Sequence, residues 1–95
     1  MKVSVYLKKN SSSTSNICFR VRERNVDIKV VSPLVVHDKY WDADILSYKR
    51  TTAVPAVEQK RLPEQIAAII EKVEKTFSDK ADSKWLKQVI EDVLY

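Results

Sequence analysis

The 95-residue sequence contains no glycine. That excludes glycine-rich loops that cradle a phosphate, because such loops need residues without a Cβ where the backbone approaches the ligand. The single cysteine, Cys18, cannot close an internal disulfide, so nothing in the thiol count points to an oxidising compartment. The single histidine, His37, has no second His or Cys at ligand spacing, which sets metal sites aside. No apolar run approaches the ~20 residues that a membrane-spanning helix needs. The opening residues, Met1 to Tyr6, carry a lysine but neither an apolar core segment nor a small-residue cleavage site, so no signal peptide is expected.

Catalytic constellations are equally scarce. His37 falls in a loop beside Trp41, away from any nucleophile it could serve as a base. Asp42 and Asp44 stand two apart in a loop and read as solvated or capping carboxylates. Cys18 lies on a strand among arginines, which could lower its pKa. Without a histidine partner it reads as a small strand residue. No catalytic residue, metal, cofactor or small-molecule substrate is therefore expected for this stretch of chain.

What remains is an ordinary globular composition, 44% apolar and 32% charged, in a length that suits one small domain. The net charge of +4 is unevenly placed. Residues 1–50 hold ten Lys/Arg against five Asp/Glu, net +5, and residues 51–95 hold seven against eight, net −1. A basic first half suits an anionic partner.

The first half alternates with period two, the mark of half-buried strands. From Lys2 to Lys8, Val3, Val5 and Leu7 fall on one side and Lys2, Ser4, Tyr6 and Lys8 on the other. The polar run from Lys9 to Asn16 reads as a mobile hairpin loop. From Asn16 to Arg24, Ile17, Phe19 and Val21 alternate with Cys18, Arg20 and Arg22. Asn25 offers the positive φ of a tight turn where glycine is missing. A third strand runs from Val26 to Val31, with Ile28 and Val30 inward and Asp27, Lys29 and Val31 outward. Ser32-Pro33 is expected to end it, because proline has no N–H for the ladder.

Residues 32–56 read as a connection anchored by Trp41, with a polar loop over 43–55. The second half changes to helical spacing. Leu62, Ile66, Ile69, Ile70, Val73 and Phe77 form one stripe of a long helix at about 57–78. Pro63 suits its first turn, or else the helix begins near Val57 and bends at Pro63. Asp82-Ser83 is a cap for a second helix, whose stripe is Trp85, Leu86, Val89, Ile90 and Val93.

The expected fold is α+β: a three-stranded antiparallel meander covered on one face by the long helix, with a second, shorter helix that either completes the core or leads onward. So small a sheet leaves its other face open, bearing Ser4, Tyr6, Lys8, Cys18, Arg20, Arg22 and Lys29. Such a face can enter the DNA major groove. Arg20 and Arg22 would meet guanine, Lys8 and Lys29 phosphates, and Tyr6 a phosphate or sugar. On residues alone the same face is equally the polar side of a one-sided sheet.

The order of these features resembles the arm-type DNA-binding domain at the amino terminus of tyrosine recombinases, the integrases of bacterial conjugative transposons and phages. Val5-Tyr6-Leu7-Lys8, Ile17-Cys18-Phe19-Arg20-Val21, Tyr40-Trp41-Asp42, the helix from Leu62 to Phe77 and Ser83-Lys84-Trp85-Leu86 carry the likeness. It implies sequence-directed binding of double-stranded DNA at arm-type sites, with Ser4, Tyr6, Lys8, Arg20, Arg22 and Lys29 as the DNA-facing residues. It implies an arm-type domain over residues 1–78 and a second helix over 79–95 that leads toward a core-binding domain. Catalytic residues would lie outside this stretch, and other recombinase protomers would be met through the full-length protein. The implied setting is bacterial cytoplasm, on the nucleoid. Members often carry glycine in the hairpin loops, where this chain has serines and Asn25. Asp27 on the outer side opposes phosphate unless it accepts from a cytosine amino group. The alternative to DNA binding is a protein–protein interaction or dimerisation module.

Overall fold

The structure, a computed structural model, describes residues 1–49 and 54–95. The alternating segments form β1 (Lys2–Lys9), β2 (Thr14–Glu23) and β3 (Val26–His37), paired antiparallel in the order β1-β2-β3. Val3, Val5 and Leu7 of β1 face Val21, Phe19 and Ile17 of β2, and Val21 and Phe19 face Ile28 and Val30 of β3. Position in the sheet then sets burial. The central β2 has Ile17, Phe19 and Val21 fully buried, while the same face of edge strand β1 is only half-buried.

The helical stripes close this face. The first helix, α1 (Ala56–Thr76), contributes Leu62, Ile66, Ile69 and Val73 to the core, and α2 (Ser83–Leu94) contributes Leu86, Val89 and Ile90 to the same cluster. Burying each such side chain stabilises the fold by about 1.5–3 kcal/mol. The second helix runs against both α1 and β3, and Phe77 meets Trp85 edge-on at 5.9 Å near the helix junction. In packing there α2 completes the core, one of the roles open to it on sequence. Its expected cap forms, with the Asp82 carboxylate accepting from the Trp85 N–H at 2.9 Å. The long helix begins at Ala56 and runs through Pro63, so Pro63 is interior rather than in the first turn.

Proline does not end the third strand. Pairing continues to His37, because Ser32, Pro33 and Leu34 form a bulge opposite Ile17. Between Cys18↔Val31 and Asn16↔Val35, β3 carries two more residues than β2. There the missing N–H is not required by the ladder. The buried Ser32 hydroxyl donates to the Ile17 carbonyl at 2.6 Å and accepts from the Leu34 N–H at 3.2 Å. The Asn16 amide donates to the Ser32 carbonyl at 3.0 Å. Two extra residues are an even number, so the alternation stays in phase and Val36 still points inward.

The serine-rich connection is shorter than the polar run suggests, since β1 reaches Lys9 and β2 starts at Thr14. Side-chain oxygens replace glycine there. The Ser11 hydroxyl accepts from the Ser13 and Thr14 N–H groups, and the Thr14 hydroxyl donates to the Asn10 side-chain carbonyl. The buried Ser15 donates to Asp38 at 2.6 Å, and Lys9 pairs with the same carboxylate at 3.1 Å. In the β2–β3 turn the positive φ falls on Arg24, at 44°, and not on Asn25.

The connection after β3 is more ordered than its polar sequence suggests. It contains a small hairpin, β4 (Trp41–Asp42) with β5 (Ser47–Tyr48), closed by a turn in which Leu46 takes φ 52°. Trp41 is buried in the core cluster and meets Tyr48 edge-on at 5.1 Å. The part of the expected loop at 50–53 lies outside the described residues.

Candidate nucleic-acid interface

The outer face of the sheet is built by the parity that builds the core. Residues between the inward ones point away, and antiparallel register arranges them in rows across three strands. The rows are Lys2, Arg22 and Asp27; then Ser4, Arg20 and Lys29; then Tyr6, Cys18 and Val31; then Lys8, Asn16 and Val35. The structure therefore brings all six residues expected from sequence, Ser4, Tyr6, Lys8, Arg20, Arg22 and Lys29, onto one face. Tyr6, Lys8, Arg22 and Lys29 are exposed, and Ser4 and Arg20 half-exposed. Five cations share this face with one carboxylate, Asp27.

Arg20 is already engaged. Its Nε donates to Asp27 Oδ1 at 2.9 Å and its Nη2 to Asp27 Oδ2 at 2.8 Å, a bidentate pair across the diagonal of two strands. The hydrogen bonds from Arg20 hold the Asp27 carboxyl below the ordinary carboxylate range, helped by the charges of Arg20, Arg22 and Lys29. Arg22 stands directly opposite Asp27, and Lys29 directly opposite Arg20, yet neither makes an ion pair among the described residues. Composition gives no sign of which cation the carboxylate chooses. The period-two pattern does place Asp27 on this face, which is the signal that could have flagged it as a site residue.

The other half of the face differs from expectation. Cys18 was expected to be exposed and is fully buried, although it points outward. Its neighbours Tyr6 and Val31 flank it in the row, and its Sγ lies 3.8 Å from the Asn16 carbonyl oxygen. Burial pushes the thiol pKa up, outweighing the lowering effect of Lys8, so the neighbouring arginines do not activate it, in keeping with its reading as a small strand residue. Tyr6 keeps its phenolic proton, its pKa raised first by desolvation and next by Cys18. Val31 and Val35 are 45% and 50% exposed and Tyr6 36%, so the end of the face farther from the β2–β3 turn is largely apolar. The outer face thus has a charged end and an apolar end, the latter bordered by Lys8.

Among the described residues no group of three or more His, Cys, Asp or Glu could hold a metal ion, and no helix is long and apolar enough to cross a membrane. No protein-family model matches the chain, and no curated protein or solved structure shows significant similarity to it.

Proposed function

We propose that the outer face of the β1–β3 sheet binds double-stranded DNA through the major groove, in the manner of an integrase arm-type domain. The observation that carries this reading is the gathering of Lys2, Lys8, Arg20, Arg22 and Lys29 on one open face. Three strands at 4.7–4.9 Å spacing give a backbone width of roughly 10 Å, comparable with the ~12 Å major groove. Arg22 and Arg20 address guanine edges, and Ser4 a base edge of either kind. Lys8 and Lys29 meet phosphates, and Tyr6 donates its phenolic proton to a phosphate. Within a full-length recombinase, arm binding would raise the local concentration of the remaining DNA-binding domains at their own sites and recruit other protomers on the same DNA. A cytoplasmic, nucleoid-associated setting belongs to this reading.

The test is fluorescence anisotropy with duplexes selected by the protein from a random-sequence library. Arg22→Ala is expected to weaken binding about tenfold, in line with loss of one base contact. Raising salt is expected to lower affinity steeply, with about one unit of logarithmic slope for each phosphate-bound lysine. Binding by Arg20→Ala and Arg22→Ala equal to that of the parent would remove the sheet face from consideration.

A second reading, a protein-interaction or dimerisation module, draws on the apolar end formed by Tyr6, Val31 and Val35. Sedimentation with and without duplex DNA separates the two. Self-association combined with indifference to DNA favours this second reading.

A further inference from the structure

A carboxylate at the edge of a cationic DNA-binding face works against the face. It repels phosphate, and an exposed ion pair contributes little to folding stability. Asp27 is half-exposed in its side chain and could pair with any of three neighbouring cations. It takes Arg20, the central residue of its row, through both carboxylate oxygens. Which edge of the guanidinium it takes decides what Arg20 can still do.

A guanidinium has two bidentate edges. The side edge presents Nε–H and one Nη2 hydrogen. The end edge presents one hydrogen from each of Nη1 and Nη2. Asp27 occupies the side edge. The end edge remains, and two parallel donors there match the O6 and N7 acceptors that guanine shows in the major groove. Adenine offers an acceptor and a donor at the same places and cannot accept both bonds. A free arginine loses about 2 kcal/mol of rotamer entropy when fixed, and one held beforehand loses less on binding.

Resting on the DNA-binding reading above, we infer that Asp27 is a positioning residue that locks Arg20 for bidentate recognition of one guanine. Asp27 contacts no base in this arrangement. It acts through Arg20, and it trades general attraction for DNA against selectivity at one base pair.

This trade gives opposite signs for two readouts. In simple electrostatics, removing a carboxylate from a cationic face tightens binding to every duplex. With Asp27 as a positioning residue, removal tightens or preserves binding to mixed-sequence DNA but lowers discrimination at one position. The experiment uses the 95-residue chain, a duplex selected by it from a random library, the same duplex with each guanine replaced in turn by adenine or 7-deazaguanine, and mixed-sequence genomic DNA. The parent is expected to prefer guanine at one position by roughly 5- to 150-fold, the range of one bidentate contact. Asp27→Ala and the near-isosteric Asp27→Asn are expected to reduce that preference to under about threefold, with binding to mixed-sequence DNA unchanged or stronger. In the free protein, the Arg20 Nε–H resonance is expected to be sharp and slow to exchange, and to be lost in Asp27→Asn. That readout needs no DNA, and it shows the variant to be folded if the other amide signals stay in place.

Tighter binding to all duplexes with the guanine preference intact overturns the role of Asp27 and leaves the DNA-binding reading standing. A parent chain that binds no duplex overturns both.

Discussion

The two faces of the sheet come from the same three strands and the same alternation, yet they are specified differently. On the inner face Ile17, Phe19 and Val21 are fully buried beneath two helices, and any large apolar residue of the right volume would satisfy the site. On the outer face the residues are individually distinct. One carboxylate selects one of three cations at the charged end, and a buried thiol lies between Tyr6 and Val31 at the apolar end. Burial asks for a class of side chain, whereas the pairing on the open face depends on particular atoms in particular places.

That contrast can be broken at several levels. The largest effect is expected from Phe19→Ala, which empties the centre of the inner face and should cost about 3–5 kcal/mol in urea unfolding. Arg22→Ala, three residues on and on the outer face, should leave the unfolding midpoint unchanged within error. A comparable loss of stability from both would mean that the outer face also carries the fold. Ser32→Ala should cost about 1–3 kcal/mol, because it leaves the Ile17 carbonyl and the Leu34 N–H without their side-chain partner. A neutral result would show that the bulge holds without its hydroxyl. The smallest effect is expected from Arg24→Gly at the turn joining the two cationic strands. With φ at 44°, arginine adopts a left-handed conformation that glycine takes without a Cβ clash. Thermal unfolding should show a gain of about 0.5–1 kcal/mol, the strain relieved less the chain entropy glycine adds. Destabilisation would mean that the arginine side chain supports the turn.

The inner face was legible in the sequence because hydrophobic alternation and helical spacing are direct records of burial. Phe19, Ile28 and Ile69 stand where the pattern puts them, and Asp82 caps the helix it precedes. The six residues assigned to the outer face also share it, since parity alone decides that. What the pattern missed depends on partners distant in sequence. Pro33 looks like a strand end until Asn16 and Ile17 are seen to hold the bulge around it. Cys18 looks exposed until Tyr6 and Val31 are placed on either side of it. Asn25 is the better residue for a positive φ, yet Arg24 takes it. In a chain without glycine, turn position follows from strand register as well as from residue preference.

The even count of extra residues in the β3 bulge sets a rule for how this strand tolerates insertions and deletions. Gaining or losing two residues around Ser32-Pro33 leaves every later side chain on its own side of the sheet. A gain or loss of one would send Val36 to the solvent and Val35 into the core, and would shift the strand end that leads to Trp41. Length variation among viable variants of this strand should therefore come in pairs.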